Sequence, residues 1–194
     1  MKTPLKKHKG PKPRPANDNS NLRDRLGAAR IGWRESLTGA LGWGAAMALS
    51  AQASLWLSNA AITTHYWSLT ALIFAGAALA WPPSLAAFRF LSFGRPRQTA
   101  FAAAFLCLTV LTIGITATLF AFIFRQFYAQ WHGDPFTKLW VIQLVFTVAS
   151  ALYQFAVMGL RLYLPLGIGF LLIASLLLAR QHDPQKPAKT PFLP

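Results

Sequence analysis

Residues 139–180 form a long apolar segment with one charged side chain, Arg161, before the arginine that ends it. As a single helix the segment would be about 63 Å long, twice the thickness of the hydrocarbon core of a bilayer. Two membrane passes, at 139–160 and 162–179, fit that thickness better. Arg161 then lies in the connection between the two passes.

Arg161 has two interpretations from the sequence alone. Gly159 and Pro165 lie close to it on either side, and both residue types are typical of a tight turn. The alternative is a buried functional charge that contacts Tyr153 or Gln154. An arginine at the bilayer centre costs about 2.5–3.5 kcal/mol and would need a carboxylate partner. All five acidic residues lie outside the apolar segments, so the sequence favours the turn.

The composition indicates a membrane protein. Hydrophobic residues make up 54% of the 194 residues, whereas charged residues make up 12%, about half the share in ordinary soluble domains. So few charges cannot cover the surface of a soluble globule. The 19 basic and five acidic residues give a net charge of +14, which points to an anionic partner surface.

The apolar segments predict an all-α fold, a polytopic helical transmembrane bundle over 36–180 with about five spans, or four. In the first span Ala40, Gly44 and Ala48 recur every four residues, which lets helices approach closely in lipid. The predicted spans are 37–57, 66–88, 99–124, 139–160 and 162–179.

The ends of the chain have a different character. Residues 1–19 are rich in Pro, Lys and Asn and are predicted to be a disordered basic tail, and 181–194 a disordered C-terminal tail. Residues 20–35 predict an amphipathic helix at the membrane interface. Its apolar stripe consists of Leu22, Leu26, Ala29 and Trp33. Its basic residues include Arg23, Arg30 and Arg34.

Basic residues also predict the orientation. Ten of them lie in 1–34, so the N-terminus is expected in the cytoplasm, with Arg95, Arg97 and Arg161 on the same side. No cleavable signal peptide is visible, and we expect a location in the bacterial inner membrane. Five spans would place the basic tail 181–194 outside, whereas four would keep it inside.

The sequence shows no set of residues that predicts catalysis. The four histidines are scattered through tails and loops, without the spacing of metal ligands. No nucleophile has a recognisable base beside it, and His132 with Asp134 fits a solvated turn. Cys107 lies alone in an apolar span. We therefore expect no enzymatic activity, no metal and no cofactor.

Two functions remain as hypotheses. The first is a non-enzymatic accessory or scaffolding subunit of a membrane assembly, which would contact anionic lipid headgroups, a membrane-protein partner or a second copy of itself. Nucleic acid is not favoured, because the basic tail has no aromatic residue to stack on a base. The contact residues would be Arg23, Arg30, Trp33, Arg34, Arg95, Arg97 and Arg161.

The alternative is a small oligomeric transporter or channel-like protein. Polar side chains inside the spans would then form an intramembrane site along its pathway. Interhelical hydrogen bonds are the simpler explanation for such residues. The candidate residues are Gln52, Gln143, Tyr153 and Gln154.

Overall fold

The structure is a computed structural model that describes residues 18–58, 65–164 and 166–182. These residues are mainly helical and contain no β-strand, which confirms the predicted all-α class. The two predicted disordered tails lie almost entirely outside the described residues. The α-helices of the described part are α1 (Asp18–Ala28), α2 (Trp33–Leu57), α3 (Tyr66–Ser92), α4 (Arg97–Tyr128), α5 (Lys138–Gln154) and α6 (Leu166–Gln181).

Three helical stretches of the described part are long and apolar enough to cross a membrane: Tyr66–Ser92, Arg97–Trp131 and Lys138–Tyr163. They make the chain compatible with a membrane protein, but they do not confirm the predicted count of about five spans. Helix α2 has 25 residues, yet its many small residues and Gln52 dilute its apolar character. Helix α6 has 16 residues, about 24 Å of helix, less than the thickness of the hydrocarbon core.

Two helix boundaries differ from those that the sequence suggested. The predicted surface helix at 20–35 is split, because α1 ends at Ala28 and α2 begins at Trp33. Helix α3 continues through Pro82 and Pro83 to Ser92, beyond the predicted end of the span at residue 88. Proline lacks the N–H that would bond to the preceding turn, so packing must hold the helix together there.

Small residues set the packing of α3 between its two neighbours. Gly44 of α2 lies against Phe74, and a methyl group at Gly44 would come within 3.0 Å of the Phe74 carbonyl oxygen. Gly76 of α3 lies directly against Thr116 of α4. In lipid, helices associate mainly through close van der Waals packing, because an apolar side chain gains no hydrophobic free energy by moving from lipid into a helix interface. Helices α2, α3 and α4 therefore form the packed centre of the chain.

Helix α6 runs antiparallel to α2. Near its start, the Gly167 amide donates to the hydroxyl of Ser50 over 2.8 Å. Beyond its end, His182 Nε2 lies 3.3 Å from the carbonyl oxygen of Arg95, in the turn between α3 and α4. Gln181 shares a groove with Glu35 of the first turn of α2. The start of α2, the α3–α4 turn and the end of α6 consequently lie at one end of the bundle, which we call the basic end.

Helix α5 crosses α4 obliquely. Arg125 of α4 lies over the ring of Trp140, and Phe120, five residues earlier, packs on Phe155. Fifteen residues of the α5 segment thus pass along a short length of α4. In an antiparallel hairpin, the two helices pass each other at about one residue for one residue. The α5 segment therefore does not form such a hairpin with α4, nor with α6.

The position of Arg161 corrects the sequence prediction. The Ser54 hydroxyl, near the end of α2, donates to the Arg161 carbonyl oxygen over 2.9 Å. Arg161 therefore lies at the end of the bundle opposite to Arg95 and Arg97, whereas the sequence predicts all three arginines on the same side. The prediction failed because it assumed that α5 runs the full height of the bundle.

Candidate functional site

The connection between α5 and α6 is a departure from regular α-helix. A π-helical turn, Phe155–Gly159, follows α5, and a 3₁₀ turn, Leu160–Tyr163, follows the π turn. Arg161 is exposed within the 3₁₀ turn. The sequence placed a connection here, whereas Pro165, the other turn signal, lies outside the described residues. Single π turns are frequent at functional sites, which makes this segment a candidate.

Gly159 lies against an aromatic ring of the π turn. A methyl group there would lie 2.5 Å from the ring of Phe155, closer than such contacts occur. The glycine therefore leaves room for the Phe155 ring, which is buried and lies 6.0 Å from the ring of Phe120. A side chain at position 159 would therefore displace the Phe155 ring.

Three hydrogen bonds attach this connection to the packed helices. Ser54 and Ser50 of α2 bond to the backbone of Arg161 and Gly167, as described above. The Tyr163 hydroxyl donates to Thr116 Oγ1 of α4 over 2.9 Å. Because they come from two different helices, these hydroxyls fix both the height and the direction of the connection.

The Tyr163 contact belongs to a buried polar chain in the middle of the bundle. Thr116 Oγ1 donates to the Thr112 carbonyl oxygen over 2.7 Å, and Trp43 Nε1 donates to Thr112 Oγ1 over 3.0 Å. Thr112 and Thr116 are both buried. The hydroxyl and indole groups of this chain of contacts all bond to protein atoms, so these hydrogen bonds stabilise the packing without a bridging water.

A cavity of about 580 Å³ lies beside the connection. The ends of α2 and α5, the first half of α3 and Phe120 of α4 form its walls. Most of the lining side chains are apolar, such as Leu72 and Ile73, whereas Ser54, Gln154 and Arg161 add polar groups. This volume and this mixture are typical of sites for small molecules.

Most of the predicted contact arginines lie at the basic end. Arg23, Arg30, Arg95 and Arg97 are exposed there, and Arg34 stacks on Trp33, which is 71% exposed. These cations lie at the same end of the bundle, and Arg161 is not among them.

The sequence did not predict a second interaction at the basic end, which joins α3 to the segment around the start of α2. Arg89 donates to the Arg30 carbonyl oxygen over 2.8 Å and forms an ion pair with Glu35. The Arg30 contact ties the segment that precedes α2 to α3. Its signal in the sequence was weak, because an acid at the start of one helix and an arginine near the end of the next carry no fixed spacing.

The four candidate pathway residues are not brought together. Gln143 accepts a hydrogen bond from the Gly133 amide over 2.9 Å, in the loop before α5. Gln154 lines the cavity, Tyr153 is 70% exposed, and Gln52 is half-buried on α2. Within one chain these side chains do not line a common path. Among the described residues no three His, Cys, Asp or Glu side chains lie close enough to share a metal ion.

No protein-family model matches the chain, and no curated protein or solved structure is significantly similar to it.

Proposed function

We propose that this chain is a non-enzymatic accessory or scaffolding subunit of a membrane assembly, and that α5 is the helix that contacts the partner. The observation that carries the proposal is the uneven burial of α5. In this helix Ala151 is the single buried residue, whereas α3 and α4 each bury seven or more. An apolar helix with so little internal packing has most of its surface available to another membrane helix.

The exposed face of α5 has the spacing of a helix-packing surface. Five exposed residues recur at alternating intervals of three and four, which is the pattern of a seam between two helices. In this set the Tyr153 hydroxyl can donate a hydrogen bond to a partner, and Ala149 leaves room for a partner helix. The face consists of Leu139, Ile142, Phe146, Ala149 and Tyr153, and we call it the α5 face.

We further propose that the chain resides in a bacterial inner membrane with the basic end in the cytoplasm. The exposed arginines of that end support this orientation under the positive-inside rule. They include Arg180 at the end of α6. Because α6 returns to the basic end, we propose four crossings, by α2, α3, α4 and α6, and we propose that α5 does not cross although the stretch Lys138–Tyr163 is long enough to do so. Anionic headgroups of the cytoplasmic leaflet would then bind Arg95 and Arg97.

The test enlarges one residue of the α5 face. Ala149→Phe would obstruct a partner helix without entering the chain's own core, because Ala149 is exposed. Ala102→Phe, at an exposed alanine of α4, is the matched control. Each tagged full-length protein is purified in a mild detergent, and mass spectrometry identifies the proteins that elute with it.

The proposal expects a stoichiometric membrane protein to elute with the wild type and with Ala102→Phe, and to be lost from Ala149→Phe. Equal recovery with both variants would show that the partner does not use the α5 face. Elution of the wild type as a monomer, or as a homodimer without another protein, would contradict the accessory role itself.

A further inference from the structure

We propose that the cavity beside the π turn binds one acyl chain of an anionic phospholipid, and that Arg161 binds the phosphate of its headgroup. This site is separate from the α5 face. The proposal goes beyond the accessory role, and it does not depend on that role.

The interior of the cavity suits a hydrocarbon chain. Leu69, Leu72 and Ile73 of α3 line one side, and Phe120 and Met158 line the other. A water-filled cavity would need two to four polar partners for each water, and these side chains offer none. The apolar volume is therefore better filled by an acyl chain than by water.

The polar residues of the lining supply one positive charge. Arg161 is exposed, and its backbone is held in place by Ser54, itself a lining residue. In the described part of the chain, Arg161 forms no ion pair, since the single pair found there joins Arg89 and Glu35. The adjoining segment 59–64 contains no charged residue. A guanidinium with no protein anion close by is a favourable partner for a phosphate.

The cavity lies at the level where a headgroup would be expected. It adjoins the end of α2 and the start of α3, where Trp56 and Trp67 are 73% and 74% exposed. Exposed tryptophans at helix ends mark the membrane interface. A phospholipid at this height would place its phosphate beside Arg161 and its chain toward Ile73. A small soluble anion would use the arginine but would leave the apolar walls unoccupied.

The π turn creates the space for this ligand. It carries Phe155, Met158 and Gly159 into the wall of the cavity and directs the following residues back toward α2. In a continued α-helix, the rotation from one residue to the next would differ. These side chains would then point in other directions, and the wall of the cavity would change. The irregular segment and the cavity are thus two consequences of the same local geometry.

Native mass spectrometry of the full-length protein tests the site. The protein is delipidated and returned to nanodiscs that contain equal amounts of phosphatidylglycerol and phosphatidylcholine with identical chains. The wild type should retain one lipid, mostly phosphatidylglycerol. Arg161→Gln should lower the ratio of bound phosphatidylglycerol to phosphatidylcholine by about fivefold, the effect of one cation near the headgroup. Arg161→Lys should largely preserve the preference.

Two further variants separate this site from general attraction to the surface. Arg125→Gln removes a cation that stacks on Trp140 outside the cavity, and it should leave the ratio unchanged. Leu72→Trp fills the cavity and should abolish retention of either lipid. Equal retention of the two lipids by the wild type, or a ratio that Arg161→Gln does not alter, overturns the proposal even if Leu72→Trp fails to fold.

Discussion

Helices α4 and α5 are neighbours in sequence and are both apolar, yet they pack differently. Helix α4 buries a stripe with a residue at every fourth position, consisting mainly of small or hydroxyl-bearing side chains: Ala100, Ala104, Leu108, Thr112 and Thr116. Helix α5 has bulky residues at most positions and buries one alanine. Apolar character makes a helix soluble in lipid, whereas small side chains and hydroxyls make it pack against another helix.

The largest expected effect concerns whether α5 crosses the membrane as α4 does. In a Cys107→Ala background, single cysteines are placed at Ser58, Gln98 and Gln181, all of which are exposed. Because Gln98 and Gln181 lie at the basic end, an impermeant maleimide should label both only after the cells are lysed. It should label the cysteine at Ser58 in intact spheroplasts. Labelling of Gln181→Cys together with Ser58→Cys in intact spheroplasts would restore the five-span arrangement.

A substitution at the closest approach of α3 and α4 should have the next largest effect. Gly76→Leu would push a side chain into Thr116, and overpacking of this kind costs about 3 kcal/mol. For a chain of this length that corresponds to a loss of about 10 °C in the melting temperature, measured in detergent. Gly114→Leu is the control, because a methyl group at Gly114 would meet nothing within 4 Å. Equal melting temperatures for the two variants would show that this contact does not limit the packing.

The comparison of α4 with α5 also shows what the sequence could predict. Charge-free apolar runs located the helices, and Gly159 located the connection that contains Arg161. The spacing of Gly44 predicted a close approach of α2 to another helix, and Gly44 lies against Phe74 of α3. Apolar runs do not encode the angle between two helices, however, so the oblique path of α5 and the end at which Arg161 lies were not predicted.

The hydroxyl contacts of the site were also beyond the sequence analysis. Ser50 and Ser54 stand four residues apart on α2, which was a usable signal for a polar strip within an apolar helix. Their partners are backbone groups of Gly167 and Arg161, more than one hundred positions away. No local periodicity connects such residues, and only the tertiary structure brings them together.

Removal of the Tyr163 hydroxyl should have an intermediate effect. Tyr163→Phe removes the donor to Thr116 and should lower the free energy of unfolding by about 1 kcal/mol, because the contact lies within the bundle. Tyr153→Phe, at an exposed tyrosine of α5, should change it by less than about 0.5 kcal/mol. Denaturation in mixed micelles measures both values. A larger effect at Tyr153 would mean that the α5 face contributes to the stability of the isolated chain.

The smallest expected effect is at Arg89. Its replacement tests how firmly the packed helices hold the segment before α2. The ion pair with Glu35 is partly exposed and contributes at most about 1 kcal/mol, so Arg89→Gln should barely change the melting temperature.

Arg89 also binds the carbonyl group of Arg30, which is the group that trypsin attacks when it cleaves after that residue. Local opening of 1 kcal/mol should raise cleavage after Arg30 about fivefold. Arg97→Gln removes a nearby exposed arginine and should leave the cleavage rate unchanged. If both variants are cut at the wild-type rate, the Arg30 contact does not restrain this segment.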